Sequence, residues 1–145
     1  MESKKDKALA CFGKGFNCAQ AVLSVFCEKY GMDMETALKI SCGLGAGMRS
    51  GEVCGAVSGA VLVVGLKHEH HIANDKETKA NCYARTEEFL NEFRKTHNTI
   101  ICREILSVNV TTEEGMKQAL DGNLFRTVCD NVVLSAVTIL EELGY

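Results

Sequence analysis

Apolar residues recur along this chain at helical spacing, and β-branched residues never alternate over a long run. No proline interrupts the pattern. The expectation is an all-α fold, a single compact multi-helix domain over residues 1–145 built around one buried, glycine-notched helix. A first helix is read from Ser3 to Phe12 and ends at Gly13 and Gly15. A second runs from Cys18 to Tyr30, with Asn17 as N-cap, Gln20 at the capping-box spacing and Gly31 as C-cap. A third covers Met34 to Cys42, and the glycine-rich loop Gly43 to Gly51 follows.

The fourth helix, Glu52 to Lys67, differs from the others. Its apolar side chains face every direction, so the remaining helices should pack around it. Gly55, Ala56, Gly59 and Ala60 leave room for close approach by another backbone. Its apolar run, Val53 to Leu66, is too short and glycine-rich to span a bilayer. The polar loop His68 to Asn74 leads to a long helix from Asp75 to Lys95, whose apolar stripe includes Cys82, Phe89, Leu90 and Phe93. Short helices at Cys102–Leu106 and Thr112–Leu120 precede a last one from Leu124 to Leu143, which carries Cys129 on its apolar face.

Charge narrows the partners. Charged residues make up 24% of the chain and the net charge is −3, so there is no basic footprint for nucleic acid and no polybasic membrane patch. The start, Met1-Glu2-Ser3-Lys4-Lys5-Asp6, is charged and lacks an apolar signal region, which suggests a cytoplasmic protein. In that setting eight cysteines read as reduced thiols or metal ligands, not as a disulfide framework. No two of them form a Cys-x-x-Cys pair, so thiols that act together must meet through the fold.

Cys18, Cys54 and Cys102 fall at the starts of helices. Free N–H groups and the positive end of the helix dipole there favour a thiolate, so a lowered pKa is expected. Cys129 is mid-helix and core-facing. Cys42 and Cys82, among apolar neighbours, read as small packed hydrophobes, and Cys11 and Cys27 as incidental. Cys27 lies opposite Cys18 if both share one helix. The tract His68-Glu69-His70-His71 reads as a solvated loop, and His97 is weakly placed as a nucleophile partner of Cys102. The Gly43–Gly51 loop matches neither the dinucleotide nor the phosphate-loop fingerprint. Its glycines permit positive φ near an anionic sulfur, and Arg49 could add charge beside Cys54, although such a residue is more often simply exposed. Arg103 and Glu104 are expected to face solvent.

The segment Cys54-Gly55-Ala56-Val57-Ser58-Gly59 resembles the motif of the C-GCAxxG-C-C family of redox-active proteins, which carry four characteristic cysteines. Asn17-Cys18-Ala19-Gln20-Ala21-Val22 is similar to the first cysteine segment, Cys102-Arg103-Glu104-Ile105-Leu106 to the third, and Cys129 stands for the fourth. The resemblance implies a small helical protein with a redox role carried by Cys18, Cys54, Cys102 and Cys129. Three functions are open. The four thiolates could ligate an iron–sulfur cluster or another metal in electron transfer, although they stand 36, 48 and 27 residues apart. They could exchange thiols and disulfides without metal. Or the chain could be a non-catalytic helical binding module whose cysteines pack. The first two require these sulfurs to share one pocket. They also require a redox partner that the residues do not name. A homodimer through the glycine-notched surface is a further expectation.

Overall fold

The computed structural model describes residues 2–145. Among them the chain forms eight α-helices and no strand: α1 Lys4–Gly13, α2 Cys18–Ser24, α3 Met34–Ser41, α4 Gly55–His68, α5 Lys76–His97, α6 Cys102–Leu106, α7 Glu113–Asp121 and α8 Asp130–Glu142. Local chemistry explains most of the starts. Ser3, Asn17, Asp33, Asp75 and Thr112 each accept a backbone N–H at the N-cap, and Asn17 and Gln20 form the expected capping box.

Helix α4 is the hub. It packs on α2, α5 and α8, and of its residues only Gly65 is exposed. The deepest core side chains around it are Phe26, Phe89, Phe93, Leu23 and Leu140. The glycine notch faces α2. A Cβ on Gly59 would lie 2.7 Å from the Ala19 carbonyl oxygen, and one on Gly55 3.2 Å from the Ala19 nitrogen. The notch therefore receives α2 of the same chain, and this surface is not open to a second copy.

Boundaries shift in informative ways. The second helix stops at Ser24, and a 3-10 turn over Cys27–Tyr30 follows, so Cys18 and Cys27 do not share a helix. Helix α4 starts three residues later than expected, which makes Cys54 its N-cap and not a member of its first turn. The last helix opens with a widened turn, Phe125–Cys129. No single helix among the described residues is long and apolar enough to cross a membrane. The pair α7 and the last helix reaches the required length only across a 74° bend.

Candidate functional site: a cysteine-lined cavity

Cys18, Cys54, Cys102 and Cys129 line one cavity of about 220 Å³. Four separate pieces of backbone bring them there. Cys18 is the first residue of α2, just inside the Asn17 cap, and the α4 notch draws that end of α2 inward: a Cβ on Gly55 would sit 3.3 Å from the Cys18 Cβ. Cys54 and Cys102 are aligned by a contact invisible in the helical pattern. Val53 and Ile101 form an isolated antiparallel bridge, in which the Cys54 N–H donates to the Ile100 carbonyl at 2.7 Å and the Cys102 N–H to the Glu52 carbonyl at 2.6 Å. Arg103 secures the same junction. It donates to the Gly51 carbonyl at 3.1 Å and pairs with Glu52 at 2.6 Å, so it does not simply face solvent as expected. Its neighbour Glu104 accepts from the Thr99 hydroxyl. Cys129 closes the ring from the widened turn before α8, a feature that recurs at functional sites.

The outer wall is a second small apolar cluster, with Leu106, Val110 and Ala119 around Cys102 and Cys129, and Phe12, Met116 and Phe125 packed against it. At the rim the backbone is strained. Ala46, Met48 and Arg49 have φ of 53°, 58° and 55°, flanking Gly47 at 63°. Each non-glycine residue in that left-handed region costs about 1–2 kcal/mol, and such costs cluster at ligand clamps and active sites. The loop does adopt positive φ as its glycines suggested, but three of these four residues are not glycine.

The electrostatics correct the helix-start argument. Burial pushes Cys54 up to about 12, although the Ala56 and Val57 N–H groups act to lower it. Burial likewise raises Cys102 to about 11, helped by Cys129. A helix terminus contributes about 0.3–1 kcal/mol, whereas full desolvation moves a pKa by up to 3–5 units, so burial wins. Cys18 is raised first by the neighbouring Cys129 sulfur, then by burial and by Cys54 and Cys102. Cys129 alone is lowered. The Cys18 thiol beside it lowers it most and Arg126 helps, against burial and the Asp130 carboxylate. The residue without a helix-start position is thus the only one of the four whose pKa moves down.

A fifth cysteine departs from the expectation. Cys42 is exposed and lines the same cavity, so it is not a packed hydrophobe. Its carbonyl accepts from the Asn17 amide at 2.8 Å, a tie that local spacing could not reveal. Cys27 is fully buried, and Cys11 and Cys82 are half-buried against the core. His97 stacks on Phe93 and is not among the cavity residues, so it forms no dyad with Cys102. His68 lies inside α4 and bonds to the Tyr145 hydroxyl at 3.0 Å, while Glu69, His70 and His71 are exposed.

Four thiolates are the right donor chemistry for an iron–sulfur cluster or zinc. Their arrangement is not that of a formed metal site: among the described residues no three His, Cys, Asp or Glu side chains are gathered to hold an ion.

Fold and cavity together define a class: an all-α protein that collects thiols from distant helix ends into one buried pocket. The chain belongs to the family described as putative redox-active protein (C_GCAxxG_C_C), whose model matches residues 16–143. No curated protein and no solved structure matches it.

Proposed function

We propose that the chain is a metal-free thiol redox module in which Cys18 and Cys129 are the reacting pair. The observation that carries this is that Cys18 and Cys129 line the same cavity, near enough to shift each other, Cys18 upward and Cys129 downward. The thiolate is the nucleophile in thiol–disulfide exchange. Cys129 Sγ attacks one sulfur of a disulfide RSSR, forming a Cys129–S–R mixed disulfide and expelling RS⁻. Cys18 passes its proton to that RS⁻ and attacks Cys129 Sγ, expelling the second RS⁻. Two electrons have moved to the substrate, which leaves as one RSH and one RS⁻, and the protein holds a Cys18–Cys129 disulfide. Cys54 and Cys102, held neutral by burial, line the pocket as thiols.

A second reading draws on the same four residues. Cys18, Cys54, Cys102 and Cys129 would hold an iron–sulfur cluster or another metal, which would supply one-electron chemistry. The four-thiol donor set favours it; the side chains would have to close in from the cavity wall.

One preparation separates the two. The protein is purified without oxygen, assayed for iron, sulfide and zinc, then treated with bis(hydroxyethyl) disulfide and mapped by mass spectrometry. The expected result is metal-free protein that loses two thiols and gains a Cys18–Cys129 link. Iron and sulfide in stoichiometric amounts would transfer the site to the second reading. Random or absent linkage would end the first.

A further inference from the structure

Resting on the thiol reading above, we infer that the substrate is a small, mostly apolar disulfide with an anionic end group, which Arg49 receives, and not the disulfide of a folded protein. Access argues first. Cys54, Cys102 and Cys129 are 6%, 8% and 8% exposed, so a reagent meets them only by entering the cavity. At about 220 Å³ the cavity takes a guest somewhat larger than benzene, which fits an apolar void of roughly 150 Å³. A protein disulfide brings two backbone strands with Cα atoms about 5.5–6 Å apart, and these cannot follow the sulfurs inside.

The lining fixes the chemistry of the guest. Phe12, Leu106, Val110, Met116 and Phe125 make the wall apolar. The polar side chains are few. Asn17 is committed at both ends, its amide oxygen accepting from the Gln20 N–H at 2.9 Å and its nitrogen donating to the Cys42 carbonyl at 2.8 Å. Arg49 is the one charged residue lining the cavity, and it is also exposed, which places it at the rim. Among the described residues its guanidinium has no hydrogen bond or ion pair, as is also true of Arg94 on the outer face of α5, whereas Arg85, Arg103 and Arg126 are each paired with a carboxylate; Arg49 alone of the two lines the cavity. An unpaired cation above an apolar, thiol-floored pocket suits a guest with an apolar body and a terminal carboxylate or sulfonate. The strained stretch Ala46–Arg49 holds that cation at the mouth in a backbone shape that nothing in its own sequence favours, apart from Gly47.

The test uses the full reduced chain and small disulfides of matched size: dithiodipropionate, bis(hydroxyethyl) disulfide and cystamine, with insulin as the protein disulfide. Formation of the Cys18–Cys129 link is timed for each and normalised to the rate with free mercaptoethanol. The expected order is anionic, neutral, cationic, with roughly a tenfold spread at low salt that shrinks at high salt, and with insulin slowest. Arg49→Gln should reduce the spread to within about twofold and Arg49→Lys should retain most of it. Equal rates for all three charges, a spread unchanged in Arg49→Gln, or insulin matching the small disulfides would each overturn the inference while leaving the thiol reading intact. Failure of every disulfide to link the pair would remove the thiol reading and this inference with it.

Discussion

Cys27 and Cys129 are the same residue type, and both are buried, yet they belong to two unlike regions. Cys27 lies in the sealed core between α2 and α4, fully covered, its thiol donating to the Ser24 carbonyl at 3.4 Å. Cys129 lies where helix ends, a bridge and a strained loop meet, facing a cavity and a second thiol. In the first region regular helices interlock and leave no room. In the second, backbone irregularity keeps space open and brings sulfurs together. A thiol's chemistry here follows from what the surrounding backbone leaves unfilled, not from burial alone.

Substitutions at these two positions should diverge most. Cys129→Ala is expected to abolish disulfide formation at Cys18, read by mass mapping. Cys27→Ala should leave that link forming at its normal rate and cost about 1–2 kcal/mol of stability, read by urea titration. Equal loss of linkage in both would erase the distinction.

The sealed region makes its own sharp claim. Gly→Ala in a helix interior ordinarily stabilises by about 1 kcal/mol. At Gly59 the new methyl would meet the Ala19 carbonyl oxygen at 2.7 Å, and backbone cannot step aside cheaply. Gly59→Ala should therefore destabilise, by about 1–3 kcal/mol, in the same titration. Any gain would mean that α2 and α4 are not in contact as described. Gly65→Ala, with nothing within 4 Å, should behave ordinarily and is the control.

A further effect concerns the cavity at high pH. The Cys54 pKa rises from an ordinary 9.0 to about 12 on folding, and that of Cys102 from 9.0 to about 11. Raised pKa values mean that the stability these thiols contribute is complete below the unfolded value and is lost as pH climbs toward the folded one. Stability should fall between pH 9 and 12, and Cys54→Ala should flatten that decline. Because the Cys129 pKa is lowered, alkylation at pH 7–8 should label Cys129 ahead of Cys54 and Cys102. Labelling in the reverse order would put the thiolate elsewhere.

Much of this architecture can be read along the chain. The apolar girth of α4, the Asn17–Gln20 cap and the absence of proline are local facts, each resolved within a few neighbouring residues by helical periodicity and hydrogen-bond geometry. The motif at Cys54 and its companions at 18, 102 and 129 also pointed to four positions that do share a cavity. Other properties arise only when distant segments meet. The Val53–Ile101 bridge joins residues 48 apart, and the Asn17–Cys42 tie joins residues 25 apart. Neither leaves a mark on local spacing. Helix position argued for acidic thiols at Cys18, Cys54 and Cys102; burial reversed Cys54 and Cys102, and the Cys129 sulfur followed by burial reversed Cys18, because these effects depend on everything packed around a sulfur while a helix start depends only on the next three N–H groups.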